Sequence, residues 1–198
     1  MTMYLSRLLL TPSRVTNGWL SNPYRVHQRL MMACGGDPRM LFRIEGDDSA
    51  PRILVQSQQP PDWPAAFADF HVLAQPIEVK AFDLRLFAGQ TLRFCLVANP
   101  TIKRDGRRLG LLNETAQQAW LDRKLKGSGA EMAACRVISL GLQHSHKKTD
   151  DPEPVHLIVR FEGLLRVNDP ENLASAVSAG IGPAKGFGCG LLSLARAE

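Results

Sequence analysis

A chain of 198 residues, 44% hydrophobic and 22% charged, has the composition of an ordinary globular protein and the length for one large domain or two of roughly 100 residues each. No stretch nears the ~18 uninterrupted apolar residues of a membrane helix, and Leu8-Leu9-Leu10, closely preceded by Arg7, is too short for a signal-peptide core, so a cytoplasmic protein is expected. The formal charge of +5 suits a polyanionic partner without requiring one. Cys34, Cys95, Cys135 and Cys189 are far apart and form no C-x-x-C pair; this opposes a zinc ribbon or redox motif and leaves them as expected buried thiols.

In chain order, residues 3–10 carry Tyr4, Leu5, Leu8, Leu9 and Leu10 with little polar interruption and predict a buried strand. Residues 11–21 read as turn. Asn22 as N-cap and Pro23 in the first turn open a helix that runs to about Cys34, where Gly35-Gly36 stops it. Strands over 40–45 and 52–56 follow, joined by the polar turn 46–50. Residues 62–70 predict a short helix with Trp63, Phe67 and Phe70 on one face, and 72–86 reads as extended.

The same order then recurs: strand 91–99, helix 114–125, strands 135–142 and 155–165, helix 170–179 and strand 191–195. Within 155–165, Val155, Leu157, Val159 and Phe161 alternate with His156, Arg160 and Glu162, as a one-faced antiparallel strand demands. The pattern predicts an α+β chain of two tandem ferredoxin-like (RRM-like) domains, 1–88 and 89–198, each βαββαβ with an antiparallel sheet. The halves share no sequence repeat, so the duplication rests on element order.

Four constellations can carry chemistry. Tyr24 and His27 lie one turn apart near the start of the first helix, where Val26, Leu30 and Ala33 form the core stripe and Tyr24, His27 and Met31 a neighbouring face. An imidazole exchanging protons near neutrality beside a phenol suits phosphodiester cleavage; the alternative is an ordinary solvated helix face. Lys103-Arg104-Asp105-Gly106-Arg107-Arg108 flanks an Asp-Gly turn with two cations on each side, a basic hairpin tip able to neutralise phosphates or simply a solvated turn. The segment 180–190 places five glycines around Lys185, so that amides at Gly182, Gly186 and Gly188 can approach an anion. It matches neither the P-loop nor the dinucleotide template and otherwise serves as a tight connector. His144-Ser145-His146-Lys147-Lys148 has neighbouring cations and no cysteine or carboxylate cluster, so a basic RNA-touching loop is expected rather than a metal site.

Five segments together closely resemble the CasE family of CRISPR repeat-RNA endoribonucleases, members of type I-E systems and of the wider RAMP group. These are Met3-Tyr4-Leu5-Ser6-Arg7, Tyr24-x-x-His27-Gln28, Ala98-Asn99-Pro100, Ala119-Trp120-Leu121-Asp122-Arg123-Lys124-Leu125, and the glycine-rich tail from Gly180 through Gly188-Cys189-Gly190 to Leu194. The resemblance spans nearly the whole chain. It implies tandem ferredoxin-like domains with the glycine-rich loop in the second. It also implies a metal-independent cut, needing no cofactor, at the 3′ base of the repeat hairpin in precursor crRNA. There the ribose 2′-OH attacks to leave a 2′,3′-cyclic phosphate and a 5′-OH, and the chain then holds the crRNA as a subunit of Cascade, an antiviral complex.

The same resemblance implies that His27 is the general acid or base, that Tyr24 assists or positions it, and that Lys103, Arg104, Arg107, Arg108, Lys185 and the glycines face RNA. An A-form stem hides its bases in a narrow groove, so phosphate-tracking cations should dominate that contact. One departure is Met31 and Cys34 where the family often carries aromatic residues. The rival expectations are a catalytically silent subunit that only binds the crRNA hairpin and, more distantly, a small basic metabolic enzyme of ferredoxin-like fold.

Overall fold

The structure, a computed structural model, describes residues 2–37, 39–144 and 155–197. It divides into two units: residues 2–84 with Gly186–Gly188, and residues 85–144, 155–185 and 189–197.

The first unit runs β1 (Thr2–Leu9), α1 (Arg14–Leu20), α2 (Pro23–Ala33), β2 (Leu41–Glu45), β3 (Arg52–Ser57), α3 (Trp63–Phe67) and β4 (Glu78–Asp83). Its strands form one sheet in the order β2-β3-β1-β4, with β1 antiparallel to both neighbours through Tyr4↔Ser57 and Tyr4↔Ala81. Leu8, Val26, Leu30, Phe42, Ile53 and Trp63 are buried in its core. The Trp63 indole N–H, which must find an acceptor when buried, donates to Ser6 Oγ at 3.0 Å.

The second unit carries β5 (Thr91–Ala98), β6 (Thr101–Arg104), β7 (Arg107–Gly110), α4 (Glu114–Lys126), β8 (Ala130–His144), β9 (Val155–Val167), α5 (Pro170–Ala179) and β10 (Leu192–Arg196). Its main sheet runs β10-β5-β9-β8. Each four-stranded sheet thus sets its first strand between its third and fourth, with the second outermost, as the ferredoxin-like plan requires. Leu96, Leu121, Leu125, Phe161, Leu165 and Leu173 are fully buried. Asn113 and Asp169 cap α4 and α5 by accepting from the backbone N–H of Ala116 and Asn172 at 3.2 and 3.0 Å.

Several local expectations are corrected. The stretch 11–21 contains α1, because Ser13 Oγ accepts from Thr16 N at 3.1 Å and Trp19 gains an edge-on seat against Phe67 and Phe70. At the start of α2, Asn22 makes no side-chain cap bond. β8 begins at Ala130, well before residue 135, and its register against β9 shifts twice. At the first irregularity a Cβ on Gly163 would lie 2.0 Å from the Ala134 carbonyl oxygen, so only glycine fits there. Of the four thiols, Cys34 and Cys189 are buried and Cys95 and Cys135 only partly so. Burial pushes the Cys34, Cys135 and Cys189 thiols up to about 11, about 11 and about 12, which keeps them protonated at neutral pH.

Candidate active site and cationic cleft

Pro23 at the first position of α2 sets the helix so that Val26, Leu30 and Ala33 turn inward. Tyr24, His27 and Met31 are then left half-exposed on the adjoining face. The His27 ring lies over Phe42 with centroids 6.1 Å apart and planes 18° from parallel. Gly186 approaches its other atoms: a Cβ built there would stand 3.5 Å from Cδ2 and 3.6 Å from Nε2. Phe187 lies 6.2 Å from the Tyr24 ring. Two distant segments of the sequence therefore meet within the first unit, around one imidazole.

Burial pulls the His27 pKa below its ordinary value, since desolvation disfavours the imidazolium. Its Nδ1 is buried without a hydrogen-bond partner among the described residues. The ring is neutral near pH 7 and able to accept a proton. Tyr24 adds a phenolic O–H, donor and acceptor, on the same helix face.

The basic segment is a hairpin. Asp105 and Gly106 both take positive φ, 49° and 75°, as a two-residue primed turn requires. Register pairs Lys103 with Arg108 and Arg104 with Arg107, and strand alternation sends these pairs to opposite faces. Lys103 and Arg108 join Arg123, Lys124 and Lys185 around a cleft of about 520 Å³, which Trp120, Gly182 and Pro183 also line. Arg104 is exposed, with Asp105 3.9 Å away, and Arg107 is exposed too.

Gly182, at φ +85°, lies so close over the Trp120 indole that a Cβ would stand 3.0 Å from Cη2. The Lys124 ammonium sits 6.0 Å from the Trp120 ring centroid, an indole that also stacks on Phe161. Lys185 donates to the carbonyl of Ala179 at 2.6 Å, at the C-terminal end of α5 where a cation is favoured; its remaining N–H groups can face the cleft.

The sequence-expected residues fall into two groups. Tyr24, His27, Gly186 and Gly188 belong to the first unit, and Lys103, Arg104, Arg107, Arg108, Gly182 and Lys185 to the second. The glycine-rich segment, expected wholly in the second domain, thus contributes Gly186–Gly188 to the first. Arg123 and Lys124 line the cleft in addition to the cations expected from the sequence. The signal was their spacing, three and four residues after Trp120, which sets all three on one helix face. His144 is exposed at the end of β8, while Ser145, His146, Lys147 and Lys148 lie outside the described residues. Among the described residues no helix is long and apolar enough to cross a membrane.

Comparison with known proteins matches residues 3–196 to the family model described as CRISPR associated protein. The CRISPR-associated endoribonuclease Cse3 of Thermus thermophilus is 34% identical over 213 residues, spanning 98% of this chain and 100% of that protein. The CRISPR system Cascade subunit CasE of Escherichia coli K12 is 34% identical over 212 residues, spanning 98% and 99%. A structure of Thermus thermophilus Cse3 bound to an RNA representing a pre-cleavage complex superposes with a TM-score of 0.85 at 32% identity, covering 99% of this chain and 100% of that one.

Proposed function

Because the chain belongs to the CasE family of CRISPR-associated endoribonucleases, we propose that it cleaves the repeat hairpin of precursor crRNA without a metal and then keeps the product as a Cascade subunit. The observation that carries the reading is the half-buried His27 imidazole, its pKa lowered by desolvation, set between Phe42 and Gly186 with Tyr24 on the same helix face.

In the proposed reaction the 2′-hydroxyl at the 3′ base of the stem is the nucleophile. Its oxygen bonds to the adjacent phosphorus, the P–O5′ bond breaks, and the products are a 2′,3′-cyclic phosphate and a 5′-hydroxyl. The net proton change is from the 2′-oxygen to the 5′-oxygen. Neutral His27 accepts the first proton, and the Tyr24 hydroxyl donates a hydrogen bond to the phosphate oxygen on which charge develops. The substrate supplies its own nucleophile, so the protein's part is alignment and proton transfer. Lys103, Arg108, Arg123, Lys124 and Lys185 supply the grip on the stem phosphates.

Incubation with the host's repeat RNA in excess EDTA tests this. One cut at the base of the stem, with cyclic-phosphate and 5′-hydroxyl ends, is expected. Loss of scission in chelator overturns the metal-free chemistry. Tight binding without any cut leaves the chain a crRNA-holding subunit.

A further inference from the structure

His27 Nδ1 is buried without a hydrogen-bond partner among the described residues, which leaves Nε2 as the ring nitrogen that exchanges a proton with RNA. Where Nε2 points depends on the turn of the imidazole about its Cβ–Cγ bond. That torsion is broad and roughly two-fold by nature, so the helix backbone alone does not set it. The geometry the reaction demands is narrow, since about 1 Å of misplacement costs on the order of 10²-fold in rate. Among the described residues the ring meets the Phe42 phenyl and the Gly186 backbone, and only the first of these has a side chain to hold it.

Phe42 is built into the fold as a fixed surface. It lies in β2, has no exposed area and pairs with Val55 on β3. It also sits in the same core cluster as Val26 and Leu30, which turn inward from α2. Strand and helix are thus joined through one close-packed core, and the phenyl cannot shift without disturbing it. Its plane lies 18° from that of the imidazole, with centroids 6.1 Å apart, an offset arrangement of the kind that ring pairs prefer. A flat neighbour so nearly parallel restricts the torsion, because turning the imidazole on edge drives its rim toward the phenyl face. An aliphatic side chain in the same place presents no such plane.

Resting on the RNA-cleaving reading above, we propose that Phe42 is a positioning residue of the cleavage reaction, its ring holding the His27 imidazole in the plane from which Nε2 meets the 2′-hydroxyl. With no exposed area, Phe42 touches no substrate atom and acts through His27. The desolvation that lowers the His27 pKa agrees with this arrangement, since a phenyl against the imidazole keeps water from that side.

The test compares two like substitutions in one core. Phe42→Leu and Phe67→Leu each remove an aromatic ring from the cluster that packs α2, but Phe67 meets the rings of Trp19, Trp63 and Phe70. Thermal midpoint, hairpin affinity, single-turnover cleavage at saturating repeat RNA and its pH–rate profile are measured for both and for the wild type. Both variants lower the midpoint. Phe42→Leu is expected to slow cleavage about tenfold with affinity within about twofold. It also moves the acidic limb of the profile up toward the ordinary 6.5, as water regains the ring. Phe67→Leu keeps the wild-type rate and limb. Should Phe42→Leu fail to fold, Phe42→Met, whose longer flexible chain fills the space more fully, carries the same expectation. Wild-type cleavage by the Phe42 variant, or equal slowing by Phe67→Leu, overturns this inference alone. Cleavage that survives His27→Ala unchanged overturns the role of His27 and the inference with it.

Discussion

The His27 site and the cationic cleft use opposite electrostatics. Around His27 the contacts are the Phe42 ring and the Gly186 backbone, with Tyr24 on the same helix face, and desolvation lowers the ring's pKa. Around the cleft five cations converge over an indole. A proton-transfer group needs a pKa near the working pH, which strong neighbouring cations would drag further down. A phosphate grip needs the cations and no titration near neutrality. The two demands fall on different side chains, so cutting and holding should fail separately.

The largest effect that would break this contrast is on cutting. His27→Ala is expected to slow single-turnover cleavage by about 10²- to 10⁴-fold, the range for a lost general acid-base group, while hairpin affinity measured by filter binding stays within about twofold. Equal loss of affinity would mean that the ring holds RNA rather than moves protons.

Next is the grip. Lys103→Ala with Arg108→Ala should weaken hairpin binding and flatten its dependence on log salt by about one unit for each cation. Arg104→Ala with Arg107→Ala, the pair on the opposite hairpin face, should change the slope less, with cleavage at saturating RNA unchanged in both. The reverse ranking would put the RNA on the other face.

That ranking could not be drawn from the sequence, and the reason is physical. The hairpin was legible because Asp-Gly is a turn signal, but which cations share a face depends on strand register. The repeated element order was legible because the glycine stop after Cys34, helical spacing and strand alternation are local, whereas the caps at Asn113 and Asp169 carried no such reading and Asn22, read as a cap, makes no side-chain cap bond. Helix α1 was hidden by Ser13, Asn17 and Gly18, residues that suit a turn until Trp19 packs on Phe67 and Phe70. The Tyr24 and His27 pair was legible from helical spacing. The approach of Gly186 and Phe187 to it joins opposite ends of the chain and leaves no mark in spacing. Asn99 lies in a segment that carries the family resemblance, yet its contact with His156 Nδ1 forms only once β5 and β9 are side by side.

Acidification sharpens the contrast further. The folded His27 pKa lies below its ordinary value of 6.5, so cleavage should be flat near neutrality and fall about tenfold per unit below that lowered pKa, as the base is protonated. Binding through lysine and arginine should not follow the same curve. The sign for stability agrees. Between 6.5 and the lowered value the unfolded chain binds the proton that the folded chain refuses, so stability falls with pH across that window and levels off below it. His156 is displaced in the same direction and adds to the slope. A pH–rate profile of His27→Ala that kept the acidic limb would assign it elsewhere.

The smallest effect is also the most local. A Cβ at Gly186 would rest at ordinary contact distance from His27 Cδ2 and Nε2, 3.5 and 3.6 Å. Gly186→Ala should therefore fold normally but crowd the edge of the ring that the substrate must reach, slowing cleavage a few-fold with affinity intact. Gly188 differs: at φ +83°, with a Cβ 3.3 Å from Phe42 Cε2, alanine is strained by roughly 1–2 kcal/mol. Gly188→Ala should lower the thermal midpoint yet leave the cleavage rate of the folded protein close to wild type. If Gly186→Ala cut at the wild-type rate, the substrate would reach His27 from a side that Gly186 does not border, and the glycine would be there for packing alone.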